Sequence, residues 1–469
     1  MNTEQIYIDG KWCDSAATER LDVVNPATEE VVAAIPDGVA ADVDAAVAAA
    51  RAAQDGWAAI GAEERSRYLR LLRRDLLNQR ERLATAITVE MGTPITFARK
   101  AQTGLALRAL GAFLEALPAV SSDERLGHSV VRREPIGVVA AITPWNFPLN
   151  QIVVKVAAAL AVGCTVVLKP SELAPLSAAL LTRLVDHAGL PPGVFNLVSG
   201  RGECVGDALA RHPDVDMVSF TGSTAVGRHI AAAAAPTVKK VSLELGGKSA
   251  AILLPDADLD AAVPGVVSSC LANAGQTCTA LTRLLVPADR LADVLARVTK
   301  AMAGYHIGDP RDARTQLGPL VSAAARERVL GYVERAERDG FARYDGGQAL
   351  PEQGYFVAPS AFAVTDPDAA IAQDEIFGPV LCVLPYEDED DAVRIANNSS
   401  FGLAGAVWSA DVERATALAA RLRTGRVDIN GAKLNPQAPF GGRRQSGVGY
   451  EMGARGLEEF QVYKAIQLP

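Results

Sequence analysis

The sequence predicts an α/β protein with two lobes, on three observations. The chain has 469 residues, well beyond the roughly 100–200 residues of one ordinary domain, so we expect two or three domains. Hydrophobic residues make up 49% of the chain and charged residues 22%, which is typical of a globular protein. From Gly137, and again from Ser249, short apolar strands alternate with helical stretches. That alternation is typical of βαβ units and parallel sheets, with a cleft between the two lobes.

The first alternating series predicts five strands. They are expected at residues 137–142, 164–169, 193–198, 215–220 and 239–244. Helical segments separate them, and the first runs up to Gly163, because a glycine commonly follows a helix end. A parallel sheet binds its ligand at the carboxyl ends of its strands. We expect the site there, because the polar stretches Thr143–Phe147, Lys169–Glu172 and Phe220–Ser223 follow those ends.

The second series predicts another sheet. Its strands are expected at residues 249–254, 280–287, 380–386, 405–409 and 425–430. Residues 40–60 and 63–90 are rich in Ala, Leu, Arg and Glu, which predicts helices. The segment 118–135 and the tail after Gly453 fit neither series, and we interpret them as arms that could pack on another subunit.

Composition and charge exclude several classes of protein. The formal net charge is −9 and the pI is about 5.3, whereas a nucleic-acid binder usually carries a basic patch. No apolar run of about 18 residues predicts a membrane span, and the first residues lack the features of a secretory signal. We therefore expect a cytoplasmic protein. Six cysteines without a CxxC pair or a Cys/His cluster argue against disulfides and against a metal site.

The stretch "FTGSTAVG", Phe220 to Gly227, follows a predicted strand. A glycine there lets the backbone approach a phosphate, and a helix N-terminus favours negative charge. Its G-x-x-x-x-G spacing differs from the G-x-G-x-x-G fingerprint, and Arg228 stands where a Walker A loop needs lysine. A phosphate-binding turn and a plain strand–glycine–helix turn both explain this stretch.

The stretch "LKPSE" places Lys169 and Glu172 just after another strand of the same sheet. A carboxylate at this position can accept hydrogen bonds from ribose hydroxyls, and it would repel a 2′-phosphate. The alternative interpretation is a solvated charge pair at a helix start, where glutamate is favoured by the helix dipole.

Two further motifs carry polar groups in apolar or rigid surroundings. In "TPWNFPLN" two prolines stiffen a loop that holds Asn146, whose side-chain N–H could stabilise an oxyanion, or the loop is a turn anchored by Trp145. In "LELGGKS" burial should raise the pKa of Glu244 toward that of a general base. Alternatively, the N–H groups of Gly246 and Gly247 satisfy that carboxylate.

One cysteine differs from the others in its surroundings. Cys164, Cys270 and Cys382 lie in apolar runs and are expected to be buried. Cys278 follows the polar run Gly275–Thr277 in "NAGQTCTALTR". A catalytic cysteine needs access and a means of forming thiolate, so this residue is the candidate nucleophile, with a buried thiol as the alternative.

Eight motifs occur together in one order: "TPWNFP", "KPSE", "FTGST", "LELGGK", "GQTC", "EIFGP", "NPQAPFGG" and "SGVGYEMG". The series resembles the NAD(P)-dependent aldehyde dehydrogenase superfamily, and the resemblance extends from "IDGKW" near the start to "GLEEF" near the end. It implies three parts: a Rossmann-like cofactor domain, an α/β catalytic domain and a small β oligomerisation arm. The cofactor domain is expected at residues 1–117 and 136–245, and the catalytic domain at residues 246–445. The oligomerisation arm is expected at residues 118–135 and 446–469.

The resemblance also implies roles for individual residues. Cys278 matches the nucleophile, Glu244 the general base and Asn146 the oxyanion donor, while Lys169 and Glu451 match positions counted with the active site, the latter in a proton relay. The residues implied in cofactor binding are Ile142, Thr143, Trp145, Lys169, Glu172, Gly202, Gly222, Ser223, Gly227, Leu245, Glu375 and Phe377. The residues expected to line the substrate pocket are Trp145, Leu149, Thr277, Thr279, Leu434 and Phe440.

The implied activity is NAD-dependent oxidation of an aldehyde to its acid, through a cysteine thiohemiacetal and a thioester, without a metal. Glu172 favours NAD, with NADP as the other cofactor considered, and the pocket residues favour a medium aliphatic or aromatic aldehyde. The implied assembly is a homodimer or homotetramer.

Two other functions compete with this one. A CoA-acylating semialdehyde dehydrogenase is disfavoured by Glu244, because acylating members mostly lack a base there. A non-catalytic binding or structural relative is disfavoured by the intact set Cys278, Glu244, Asn146 and Glu375. The one departure is Tyr450, where arginine is usual in the family, and it puts the shape of the local loop in doubt.

Overall fold

The computed structural model describes residues 3–469. Its strands are β1 Ile6–Ile8, β2 Lys11–Cys13, β3 Arg20–Val24, β4 Val31–Pro36, β5 Glu124–Leu126, β6 Ser129–Pro135, β7 Val138–Ile142, β8 Thr165–Lys169, β9 Phe195–Leu197, β10 Met217–Thr221, β11 Lys240–Glu244, β12 Ser249–Leu253, β13 Leu281–Pro287, β14 Ala342–Asp345, β15 Ser360–Ala363, β16 Val380–Tyr386, β17 Ala404–Trp408, β18 Arg426–Ile429, β19 Gly447–Val448 and β20 Gln461–Gln467. Its α-helices are α1 Ala40–Ala59, α2 Ala62–Asn78, α3 Arg80–Met91, α4 Ile95–Phe97, α5 Thr103–Val120, α6 Pro148–Val162, α7 Leu176–His187, α8 Asp207–Arg211, α9 Thr224–Ala234, α10 Leu259–Leu271, α11 Leu291–Ala303, α12 Ala323–Arg338, α13 Ala370–Gln373, α14 Glu389–Asn397, α15 Val412–Ala419 and α16 Gly453–Glu458.

The first large sheet has eight strands in the order β19-β11-β10-β7-β8-β9-β1-β2. Its five central strands, β11 to β9, pair in parallel. Alternate residues of β7 face opposite sides: Val139 and Ala141 pack on the core with α2, α3, α5, α6 and α7, whereas Val138 and Ala140 pack with α1, α8 and α9. Burial on both faces explains why these strands are continuous apolar runs.

The second large sheet has seven strands in the order β14-β15-β16-β13-β12-β17-β18. All its pairs are parallel except β14 with β15. A separate core cluster joins it to helices that include α10, α11, α12, α14 and α15. The two lobes predicted from the alternating pattern are therefore two sheets with their own cores.

A smaller sheet of three strands, β20-β6-β5, lies outside both lobes. It draws on the two segments that fit neither series, and Leu126, Val462 and Tyr463 are exposed on it. Strand β19 pairs with β11 instead, so the range 446–469 divides between this sheet and the first lobe. The domain boundaries and the use of this sheet in assembly stay predictions.

The predicted helix over 63–90 is divided in two at Gln79, whose φ of −98° and ψ of 13° leave the helical range.

A second irregular helix is the segment Ile95–Val120, which has a π-helical turn at Ala98–Gln102. This segment is long and apolar enough to cross a bilayer, but half of its most apolar window is buried inside the molecule. It packs on α2 and α6, as a core helix does.

Candidate active site

The carboxyl ends of β7, β10 and β11 meet a cavity of about 190 Å³. It is lined by Pro144, Trp145, Asn146, Gln151, Thr221, Gly222, Ser223, Leu245, Gly246, Cys278, Arg328, Glu375 and Phe377. A larger surface hollow of about 380 Å³ between α2 and α7 contains no predicted site residue. The cavity thus brings together the candidate nucleophile, the candidate oxyanion donor and six of the twelve residues implied in cofactor binding.

The backbone before Cys278 is unusual. Asn273, Ala274 and Gly275 all have positive φ, of 57°, 57° and 75°. A non-glycine residue in this conformation costs of order 1–3 kcal/mol and persists only where surrounding contacts enforce it. A Cβ at Gly275 would lie 2.1 Å from the Gly378 carbonyl oxygen. The glycine therefore also permits the segments around residues 275 and 378 to approach each other closely.

Residue Cys278 is half-buried, unlike the three cysteines predicted to be core residues, which are fully buried. Burial, followed by the carboxylates of Glu375, Glu244 and Glu451, raises its pKa to about 12. The thiol is therefore protonated at neutral pH in this state. A cation placed beside it would oppose the carboxylates and favour thiolate.

Asn146 lies on the loop between β7 and α6 and is 4% exposed. Its side-chain Nδ2 donates to the main-chain oxygen of Gln276 at 3.0 Å. That oxygen lies two residues before Cys278, so the amide of Asn146 is adjacent to the nucleophile loop. A donor at this place can stabilise an oxyanion that forms on the sulfur-bound carbon.

Glu244, the last residue of β11, is 2% exposed. Neither of its carboxylate oxygens accepts a hydrogen bond from the described part of the chain. The alternative in which the Gly-Gly turn satisfies this carboxylate is wrong, because the Gly247 N–H donates to Glu375 Oε1 at 2.9 Å. A Cβ at Gly246 would lie 2.2 Å from Glu375 Oε2, which explains a glycine there.

Burial raises the pKa of Glu244 well above its ordinary value. The neighbouring carboxylate of Glu451 adds to the increase, and the ammonium of Lys155 opposes it. Lys155 and Glu451 form an ion pair, and their side chains are only 1% and 5% exposed. Sequence reasoning missed Lys155; its signal was a lysine amid the apolar residues of α6.

The residues implied in cofactor binding include groups that suit a dinucleotide. Lys169 Nζ lies 2.8 Å from Glu172 Oε2, and the Glu172 side chain is 35% exposed. The Thr143 hydroxyl is buried without a partner among the described residues. Ser223 caps α9 by accepting the Val226 N–H at 3.3 Å, so a helix N-terminus faces the cavity where an anionic group would be favoured.

An aromatic pair closes one side of the cavity. The rings of Trp145 and Phe377 lie 5.5 Å apart at 89°, and Phe377 has a positive φ of 61°. Arg328 donates to the main-chain oxygen of Glu375. Neither Arg328 nor Gln151, which also lines the cavity, was expected from the sequence.

Several other predicted residues lie outside the cavity lining. Leu149 is 1% exposed inside the first core, and Gly202 is exposed at the start of a π-helical turn. Gly227 packs under Leu245, because a Cβ there would lie 2.5 Å from that side chain. The other predicted residues outside the lining, whose roles stay predictions, are Ile142, Thr143, Lys169, Glu172, Glu244, Thr277, Thr279, Leu434, Phe440 and Glu451.

Comparison with known proteins decides the family. The model of the aldehyde dehydrogenase family matches residues 12–466. The chain belongs to the aldehyde dehydrogenase family. Membership confirms the predicted resemblance, fold class and oxidoreductase assignment, and with them NAD-dependent oxidation of an aldehyde as the class of reaction.

Relatives match along nearly the whole chain. A 3-succinoylsemialdehyde-pyridine dehydrogenase of Pseudomonas sp. is 48% identical, over 98% of each chain, and a geranial dehydrogenase of Castellaniella defragrans is 41% identical, over 99% of this chain and 98% of the relative. A mutant aldehyde dehydrogenase C of Pseudomonas syringae, solved with NAD+ and octanal, has a TM-score of 0.98 and 47% identity, over 99% of this chain and 97% of its own.

Proposed function

We propose that Cys278, Glu244 and Asn146 carry out the NAD-dependent oxidation of a medium-length aliphatic or aromatic aldehyde. The observation that carries this proposal is that half-buried Cys278 and the buried amide of Asn146 line one cavity with Leu245 and Gly246, which directly follow Glu244 in the chain. The Glu244 carboxylate is close enough to raise the pKa of the Cys278 thiol. The Cys278 thiol loses its proton to water, and its sulfur attacks the aldehyde carbon. The electron pair of the C=O double bond moves to the oxygen, and the Asn146 amide with the Cys278 N–H stabilises this oxyanion. Such a donor contributes about 3–4 kcal/mol in other acyl-transfer enzymes.

NAD, when bound, would supply the acceptor for the hydride of the thiohemiacetal carbon. The loss of hydride leaves a thioester on Cys278. Glu244 then takes a proton from a water, which attacks the thioester and releases the acid. A carboxylate that has no hydrogen-bond partner among residues 3–469 and has a raised pKa is suited to this step, because it holds a proton more strongly than an ordinary carboxylate does.

The proposed aldehyde class is supported by apolar side chains near the nucleophile. Trp145, Phe377 and Leu245 line the same cavity as Cys278. One related enzyme is named for geranial, and another was solved in complex with octanal; both compounds are aliphatic aldehydes. We also propose a cytoplasmic homodimer or homotetramer, in which the assembly is supported by the exposed apolar residues of the three-stranded sheet.

The test is NADH formation by the purified protein with aliphatic, aromatic and carboxylate-bearing aldehydes. We expect the highest kcat/KM with the first two, no activity for Cys278→Ala, and full activity for the matched control Cys270→Ala, whose thiol is buried in the second core. Formation of acyl-CoA in place of acid when CoA is added would establish the acylating alternative. Lack of activity with every aldehyde, together with a Cys278 unreactive to thiol probes, would establish the non-catalytic one.

Cofactor choice is tested at Glu172. Because its carboxylate would repel a 2′-phosphate, we expect a lower KM for NAD than for NADP. Glu172→Gln keeps the side-chain shape and removes the negative charge. It should therefore reduce the difference between the KM for NAD and the KM for NADP, mainly by lowering the latter. A lower KM for NADP in the unaltered protein would contradict the proposal.

A further inference from the structure

Two side chains donate to one main-chain oxygen beside the nucleophile. Gln102 Nε2 donates to the Asn146 carbonyl oxygen at 2.8 Å, and Asn273 Nδ2 donates to the same oxygen at 3.0 Å. Gln102 is fully buried and Asn273 is 3% exposed. A carbonyl with two buried donors is held firmly, because rotation of its peptide plane would leave both donors without a partner.

Asn273 is itself held at both ends. Its Oδ1 accepts from the Thr93 hydroxyl at 2.5 Å. Its main-chain oxygen accepts from both the backbone N–H and the side-chain Nε2 of Gln276, each at 3.1 Å. These contacts are those that enforce its left-handed backbone.

The hydrogen bonds form a closed ring between the two lobes. Asn273 binds the Asn146 carbonyl, Gln276 binds Asn273, and the Asn146 amide donates back to the Gln276 oxygen. Asn146 follows β7 of the first sheet, whereas Asn273 and Gln276 precede β13 of the second. The ring therefore aligns a donor from one lobe with the nucleophile loop of the other.

Gln102 supports this ring from a local irregularity. It is the last residue of the π-helical turn Ala98–Gln102, which interrupts the long helix that ends at Val120. A π-helical turn is a rare conformation that often occurs at functional sites. Here it ends with a fully buried polar side chain bonded to the Asn146 backbone.

We propose that Gln102 and Asn273 are positioning residues that hold Asn146 in register with Cys278. Neither one takes part in the chemistry; each acts through the backbone of Asn146. The inference rests on the proposed role of Asn146 as oxyanion donor. A displacement of about 1 Å at such a donor can cost up to about 100-fold in rate.

The test uses Gln102→Met and Asn273→Asp, which keep side-chain size and remove the donated hydrogen bond. We expect each to lower kcat about tenfold or more, with the KM for NAD and for aldehyde changed less than about threefold. The matched control is Gln54→Met, because Gln54 is another buried glutamine in the first lobe, bonded to Gly163 and Thr165. It should lower the melting temperature and leave kcat unchanged.

A double-mutant cycle separates positioning from general support. In an Asn146→Ala background the donor is already lost, so Gln102→Met should cost less than about twofold. A full tenfold cost in that background, an unchanged kcat in the single variants, or an equal kcat loss for Gln54→Met would overturn the proposal. Should Gln102→Met fail to fold, Asn273→Asp completes the same cycle. Full activity of Asn146→Ala would instead overturn the proposed function.

Discussion

Glu90 and Glu244 are both buried carboxylates, with exposures of 0% and 2%, but their surroundings differ. Glu90, in α3, accepts the backbone N–H groups of Leu176 and Ser177 at the start of α7. Glu244 has no such partner among the described residues. The carboxylate of Glu90 accepts hydrogen bonds from N–H groups at a helix N-terminus, where negative charge is favoured. The carboxylate oxygens of Glu244 accept none from the described residues.

The two pKa values reflect this difference. Burial raises the pKa of Glu90 to about 7, and the hydrogen bonds at the helix start limit the increase. Burial raises the pKa of Glu244 well above its ordinary value, and Glu451 raises it further. The comparison teaches that burial of a carboxylate does not identify a base by itself. What distinguishes Glu244 is burial without a hydrogen-bond donor from the described residues, and a charge that acts on the Cys278 thiol.

The largest expected effect separates the two residues by activity. Glu244→Gln cannot take a proton from water, so kcat should fall at least about 100-fold. Glu90→Gln should change kcat less than about twofold, since its contacts lie at the start of α7. Steady-state NADH formation measures both. Similar losses of kcat in Glu244→Gln and Glu90→Gln would contradict the distinction between the two carboxylates.

A second expected effect concerns the pH at which Glu244 works. The base acts in its ionised form, so the rate should rise with pH through its pKa. Glu451→Gln removes a repelling charge and should move this limb to lower pH, whereas Lys155→Met removes an attracting charge and should move it to higher pH, each by about one unit. The pH profile of kcat measures the shift, and equal shifts in one direction would contradict the assignment.

The smallest expected effect concerns stability at Glu90. Its pKa is raised on folding from 4.5 to about 7, so between these values the folded state binds more protons than the unfolded state. The free energy of unfolding should therefore fall as pH rises from about 4.5 to 7, by at most about 3 kcal/mol. Glu90→Gln should reduce this slope, and melting temperatures at pH 5 and pH 7.5 measure it. An unchanged slope would show that Glu90 does not titrate there.

The sequence predicted the five central strands of the first sheet to within two residues at each end, whereas β1, β2 and β19 were not predicted. Fully buried parallel strands are apolar runs bounded by glycine or polar residues, and β7 and β8 both follow that pattern. Cys278 was also identified, because its polar neighbours set it apart from the cysteines in apolar runs. The apolar runs of the strands and the polar neighbours of Cys278 are both local features of the sequence. They can therefore be recognised without knowledge of distant contacts.

Other parts of the site could not be predicted, because they depend on distant contacts. Lys155 looks like an interruption in an apolar helix until Glu451, 296 residues away, is placed beside it. The left-handed backbone at Asn273 and Ala274 contradicts the usual preference of non-glycine residues. At Asn273 this conformation is accompanied by contacts with Thr93, Gln276 and the Asn146 carbonyl, all distant from it or fixed by the fold.

The central claim, that Cys278 carries the acyl group and Glu244 removes it, is tested most directly on Glu244→Gln. The variant is mixed with NAD and an aldehyde, and its intact mass and NADH yield are measured at once. The account predicts up to one NADH per subunit, no further turnover, and a mass increase equal to the acyl group at Cys278. Continued turnover without an acyl adduct would contradict the account.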